Sequence, residues 1–376
     1  MGRHADFKRF SCLAAALTVA LVCAACGSGA TTKASTTTAA SAAKGTAAGF
    51  SQERCTANRA AGKVTFLTSF DYAAAASIID VVAAKEQGYF DSVCLDVVLQ
   101  PGFSSTNVAS VAADKAQMTS LGSFSEVAVA NSQDAALIAI AVEGQTSIEA
   151  LLVENGRGIS KLTDLPGKTM GVKGAIPFSL RAMLAKAKVG EKSFKQIEVG
   201  FNPITLFETE IDALPVYKSN EPGALDAAGY AGKYTTFDPQ TEQIPASFAV
   251  FTTSKGFAKK HPTAVADFLR ASLHGFDWAT KNQDAAVQLT LKKSDPKLFF
   301  NPAGEAFRWK TESGLVRSST PSGKPVGAIV PDKLAAELQT LVDLGVFTKG
   351  KVDAATSYDA TFLNEVTKDG AVLWPF

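Results

Sequence analysis

From Lys63 onward the chain alternates between two hydrophobic rhythms. Val64 and Phe66, and less strictly Ser69/Phe70, give a short alternating run rich in β-formers, which predicts a strand. Phe70-Asp71-Tyr72 breaks that alternation. Ile78, Ile79, Val81, Val82 and Lys85 then follow a helical spacing, with Gly88 placed as a C-cap glycine. Cys94 to Leu99 predicts a second strand, ended by Pro101-Gly102. In such a strand–loop–helix–strand unit, ligands bind beyond the carboxyl end of the first strand, where a helix N-terminus presents backbone N–H groups. Asp71 and Tyr72 lie at that point.

The same rhythms continue. Val108, Val111 and Ala112 make a helical face, Gln117 to Leu121 a short strand, and Gly122-Ser123-Phe124-Ser125-Glu126 opens another helix. Ser123 with Glu126 in the first turn reads as an N-cap. Ala135 to Val142 and Glu149 to Val153 are apolar enough for buried strands, the latter as the first crossing between two lobes. Thr169 to Val172 is a strand leading through the turn Gly174-Ala175-Ile176-Pro177-Phe178-Ser179 into a helix. Phe194 to Gly200 is a further strand region, and Asp212-Ala213 enters another strand, which ends Tyr217-Lys218-Ser219-Asn220-Glu221-Pro222. Pro245 to Thr252 reads as the strand returning across the hinge. Helices follow from His261-Pro262, from Asp332 to Leu344 with Gly345 as cap, and from Tyr358 to Val366. The stretch Phe299 to Pro321, with Trp309 and several charges, has no clear place in this pattern.

With 376 residues, 46% of them hydrophobic, the chain can build two domains with real cores. A net charge of +1 gives no basic footprint for nucleic acid. Arg3, His4, Lys8 and Arg9 precede an apolar run from Cys12 to Ala25, too short for a comfortable membrane span. It ends in small residues before Cys26-Gly27-Ser28, which resembles a bacterial lipobox with Cys26 as the lipidated residue. An ordinary signal peptide cut after Ala25 is the alternative. Residues 26–50 are mostly Ala, Thr, Ser and Gly and predict a flexible tether. Of five cysteines, Cys12 and Cys23 leave with residues 1–25 and Cys26 is the anchor. Cys55 and Cys94 remain, either joined in an oxidising compartment or as two buried thiols.

Enzyme signatures are poor. The chain has no H-E-x-x-H, G-x-S-x-G or G-x-G-x-x-G, and His4, His261 and His274 are not spaced as metal ligands. Gly345 to Val352 approaches the P-loop pattern, but Val352 stands where Ser or Thr would hold Mg²⁺, so a helix-capping turn is the better reading.

Several of these stretches together resemble one superfamily. They are the acid beside an aromatic after the first strand, the helix ending AAKEQGYF, the strand LDVVLQPG, and S-K-L-T-D-L-P-G-K followed by a strand and a Gly/Pro turn. The superfamily comprises the periplasmic (type II) binding proteins of ABC importers for nitrate, sulfonates, taurine and thiamine-pyrimidine precursors, and the resemblance covers roughly Lys63 to Asn364. It implies an α/β protein of two lobes, each a mixed sheet flanked by helices, closing on a small molecule. On that pattern residues 51–153 begin lobe 1, 154–246 form lobe 2 and 247–376 return to lobe 1. Y-x-x-N-E-P at Tyr217 to Pro222 resembles the pyrimidine-precursor branch, and Ala175 and Ile176 stand where an anion-binding turn often carries hydroxyls. The implied ligand contacts are Asp71, Tyr72, Ser123, Phe124, Ala175, Phe178, Tyr217, Asn220 and Glu221, with Tyr72, Phe124, Phe178 and Tyr217 as stacking rings. Glu221 reads either as an acceptor for an amino-bearing ring or as a cap before Pro222. A carboxylate in the cleft (Glu221, Asp71) favours a heteroaromatic; a basic residue (Lys173, Lys218) favours a small oxyanion. The remaining expectations are no cofactor, no metal, an ABC permease as partner, a monomer, and export to the outer face of the cell membrane on lipidated Cys26. An enzyme on this fold, such as a pyrimidine-precursor synthase, would use a Cys-rich motif that this chain lacks.

Overall fold

The computed structural model of the protein describes residues 49–298 and 300–374. The expected signal peptide, the lipidated Cys26 and nearly all of the tether lie outside the described residues. Among the described residues, no helix is long and apolar enough to cross a membrane.

Ten strands form two five-stranded sheets. They are β1 (Lys63–Leu67), β2 (Asp96–Gln100), β3 (Met118–Leu121), β4 (Leu137–Gly144), β5 (Glu149–Glu154), β6 (Thr169–Val172), β7 (Lys195–Glu198), β8 (Ala213–Tyr217), β9 (Tyr234–Phe237) and β10 (Phe248–Ser254). The first sheet has the order β2-β1-β3-β10-β4 and the second β7-β6-β8-β5-β9. Each has three parallel strands and then one antiparallel strand, β10 in the first sheet and β5 in the second. Those two antiparallel strands are the ones that follow a crossing. This corrects the expected first crossing: β5 pairs with β8 and β9 inside the second sheet, so the chain changes lobe at 145–148, before β5.

The first lobe is built on an aromatic stack. Phe268, on the helix Pro262–Lys281, lies 5.5 Å from Phe66 of β1 and 5.1 Å from Phe90, and all three are fully buried. Gly275 lets this long helix lie against the helix Ile79–Glu86, because a Cβ there would collide with the Asp80 carbonyl. The N-terminal helix Gln52–Arg59 is pinned to the same lobe. Cys55 and Cys94 are joined, with Cα atoms 5.2 Å apart, and Arg54 Nε and Asn58 Nδ2 each donate to the buried Asp267 carboxylate at 2.6 Å. Of the two readings of this cysteine pair, the structure takes the disulfide.

The unplaced stretch is a helix, Pro302–Ser319. Its buried face is Glu305, Arg308, Trp309, Glu312, Ser313 and Val316, a helical stripe that is largely polar. The helix Pro331–Asp343 also serves both halves: Leu334 and Leu338 pack under the first sheet, Leu341 under the second. The return segment is therefore not confined to one lobe. Gly345 follows that helix with φ of +73°, a C-capping turn and not a nucleotide loop.

Candidate functional site

A cavity of about 240 Å³ lies between the sheets. The first lobe contributes Phe70 after β1, Ser77 before the helix Ile79–Glu86, Gly122 after β3 and Phe248 on β10. The second contributes Ala175, Phe201, Tyr217 and Asn220, and the helix Pro302–Ser319 adds Arg308 and Glu312. Taking ~30 Å³ as one water's share of the liquid, there is room for a small single-ring molecule.

The mouth is aromatic. Phe70 lies 5.6 Å from Phe103, 5.8 Å from Phe300 and, across the cleft, 5.6 Å from Phe201. The Arg308 guanidinium sits over Phe70 and Phe300 at 5.9 and 5.4 Å, and Lys173 Nζ lies 6.0 Å over Phe201. Phe103 and Phe201 remain exposed, at 42% and 56%.

Deeper in, the polar groups are mostly carboxyls with protein partners already in place. The loop between β1 and the helix Ile79–Glu86 has the backbone N–H groups expected to meet a ligand, but acids occupy two of them. Ala74 N donates to Glu305 at 2.6 Å and Ala76 N to Glu312 at 2.8 Å. In the second lobe Gly174 N donates to Glu198 at 2.9 Å. The two cations at the wall are also paired. Lys173 bonds Glu221, and Arg308 bonds Glu305 at 3.1 Å and Asn220 Oδ1 at 2.6 Å.

Burial sets the protonation of this site. It pushes Glu312 up to about 7, against the pull of Arg308 and a hydrogen bond from Ser219. Glu126, behind Gly122 and bonded by the Ser104 hydroxyl, is likewise raised to about 7 by burial. Tyr217 turns a ring that is 40% exposed toward the cavity. Its hydroxyl end is crowded by the first lobe, within 3.6 Å of where a Cβ on Gly122 would sit. Burial, reinforced by Glu149, Glu126, Glu312 and Glu221, holds that hydroxyl well above its ordinary value, so it stays protonated.

Of the residues expected from the sequence, Ala175, Tyr217, Asn220 and Glu221 line the cavity. Glu221 is 3% exposed and holds both Lys173 and the Tyr217 N–H, the latter at 2.9 Å, so it caps its helix and neutralises a cation at once. The other five do not line it. Asp71, at φ of +41°, accepts from Asp295 N at 2.9 Å and fastens the loop to the 294–295 segment. The Tyr72 ring is 9% exposed among Ala73, Ile78 and Val82, and its hydroxyl donates to the Leu99 carbonyl at 3.1 Å. Phe124 is fully buried under the first sheet. Ser123 and Phe178 face a separate hollow of about 10 Å³ beside Glu149 and Glu337, and Ser123 makes no side-chain cap bond. Phe178 packs edge-on against Phe347 at 4.9 Å. Lys218, the second basic candidate, pairs with Asp238 at 2.8 Å. Phe70, Phe201, Phe248, Arg308 and Glu312 are cavity residues that the sequence reading did not pick out.

Comparison with known proteins agrees with this architecture. Residues 75–286 match the family model described as NMT1/THI5 like. A formylaminopyrimidine-binding protein of Halalkalibacterium halodurans is 25% identical over 222 residues, 57% of this chain and 66% of that protein. The chain thus spans about two thirds of that relative's length. The alkanesulfonate-binding protein SsuA of Xanthomonas axonopodis pv. citri, solved with MOPS, superposes with a TM-score of 0.58 at 12% identity, covering 79% of this chain and 98% of that one. The desulfurization enzyme DSZB shares the fold as well, with a TM-score of 0.54 at 15% identity over 80% of this chain and 98% of that one. A two-lobed α/β fold, a cavity between the lobes and a family match across more than half of the sequence lead to one assignment: the chain belongs to the NMT1/THI5-like family and has the fold of the periplasmic binding proteins.

Proposed function

We propose that this protein is the receptor of an ABC importer and captures a small amino-bearing heteroaromatic of the thiamine-pyrimidine-precursor type. The observation that carries the reading is the internal occupation of the anion-binding positions. The loop N–H groups of Ala74 and Ala76 point at Glu305 and Glu312, and both wall cations are matched by carboxylates. A sulfonate or nitrate would meet acids where it needs donors. A neutral or cationic ring finds aromatic faces in Phe70, Phe201 and Tyr217, and acceptors in Glu312 and Asn220. The H. halodurans relative, which by its name binds a formylaminopyrimidine, supports the same class.

The oxyanion reading rests on the shared fold with SsuA. The enzyme reading rests on the shared fold with DSZB. Native mass spectrometry of protein purified without refolding tests the three together. The proposal expects a co-purified, unmodified aminopyrimidine. A co-purified sulfonate, or turnover of an added pyrimidine, contradicts it.

Anchoring belongs to the same proposal. Cys26, followed by the polar tether 27–50, would hold the receptor at the outer face of the membrane within reach of a permease. Lobe 1 (51–153 and 247–376) and lobe 2 (154–246), with the first boundary moved back to 145–148, would then act as one monomer.

A further inference from the structure

The helix Pro302–Ser319 is fixed to one lobe and docked on the other. Its Trp309, fully buried, packs edge-on against Phe276 at 5.4 Å and donates Nε1–H to the Ala279 carbonyl at 3.2 Å. Both partners sit on the long helix of the first lobe. Another part of the same helix meets residues 219–223 of the second lobe at three places. Arg308 donates to Asn220 Oδ1 at 2.6 Å, and the Ser219 hydroxyl donates to Glu312 Oε1 at 2.7 Å. The Phe307 ring lies so close over Gly223 that a Cβ there would sit 2.5 Å from its Cδ1. Ser219 is fully buried, and Glu312 and Arg308 are 3% and 4% exposed, so these bonds are made away from water.

The two polar contacts also belong to the cavity wall. Glu312 accepts from Ser219 of the second lobe through one oxygen and from Ala76 N of the first through the other. Arg308 reaches Asn220 while stacked between Phe70 and Phe300. A molecule in the cavity therefore touches the groups that join the lobes.

We propose that the helix Pro302–Ser319 is the clasp that sets lobe closure, with Phe307, Arg308 and Glu312 as positioning residues acting on Ser219 to Gly223. This deepens the functional reading above and rests on it, since closure on a small molecule is what the clasp controls. Ligand contacts that order Arg308 and Glu312 favour docking, and docking in turn completes the cavity, so the two events strengthen each other.

Gly223 makes the test clean. It lies outside the cavity lining, on the helix Glu221–Ala227, where alanine is the better helix former. Gly223→Ala disturbs only the docked face. Spin labels at Gln133→Cys and Lys192→Cys, exposed positions on the first and second lobes, report the interlobe distance by pulsed electron resonance. In ligand-free protein Gly223→Ala is expected to give longer distances than wild type. Phe307→Ala, which removes the ring that the new methyl would strike, should bring the double variant back to the distances of Phe307→Ala alone. With 4-amino-5-hydroxymethyl-2-methylpyrimidine as probe, Gly223→Ala should bind about tenfold more weakly through faster dissociation. Unchanged ligand-free distances in both single variants would overturn the clasp. Because those distances need no ligand, a wild type that ignores the pyrimidine would refute the ligand class and leave the clasp result standing.

Discussion

Asp80 and Glu143 make a sharp stability prediction. Both are fully buried, on the helix Ile79–Glu86 and on β4, and they sit close enough for the charge of one to oppose ionisation of the other. Glu312 adds a third nearby acid. Burial raises Asp80 from 3.8 to about 7 and holds Glu143 well above its ordinary value. A carboxyl raised in the folded state gives stability that is complete below its unfolded value and is lost as pH climbs through the folded one. Each tenfold step in the protonation equilibrium is worth about 1.4 kcal/mol. Moving from 3.8 to about 7 therefore withdraws on the order of a few kcal/mol as pH climbs between those two values. Glu126, Glu312 and Glu337, all raised to about 7 by burial, push the same way. Asp80→Asn removes one of the two buried acids and with it the charge that opposes ionisation of Glu143. Urea unfolding from pH 5 to 8.5 should show wild type losing several kcal/mol across the range. Asp80→Asn should lose less and be the more stable protein at pH 8. Equal slopes for the two proteins would refute a role for this buried acid pair.

Other outcomes follow from single contacts. Replacing Cys55 and Cys94 by alanine opens a loop with a sequence separation of 39 and should cost about 4 kcal/mol on the chain-entropy relation, read as a lowered urea midpoint; an unchanged midpoint contradicts it. Tyr217→Ala removes a stacking face from the cavity wall and should weaken pyrimidine binding about tenfold with the unfolding midpoint preserved, whereas Tyr72→Ala, in the core, should lower the midpoint first. Cys26→Ala should move the protein from the membrane fraction to the soluble one; persistent membrane association would remove the lipid anchor from the account.

The lobes were legible because strand and helix periods alternate cleanly from Lys63 to Val172, and because glycines such as Gly88 and Gly345 sit where the chain leaves a helix with positive φ. The lobe of β5 was not legible: it is buried almost throughout, so no polar face shows which sheet it joins. Which aromatic after β1 faces the cavity was hard to read for a related reason. Tyr72 and Phe70 are neighbours of similar type, and only the turn at Asp71, with its positive φ, sends one into the core and the other into the cavity. Arg308 and Glu312 escaped because their helix buries charge. Residues 305, 308, 309, 312 and 316 do follow a helical repeat, but a search for apolar stripes passes over one made largely of Glu and Arg.

The central claim is the ligand class, and calorimetric titration of one preparation with two molecules tests it most directly. The account predicts that 4-amino-5-hydroxymethyl-2-methylpyrimidine binds and that taurine, whose sulfonate would face Glu305 and Glu312 at the loop N–H groups, does not. Tight taurine binding with no heat from the pyrimidine would contradict it.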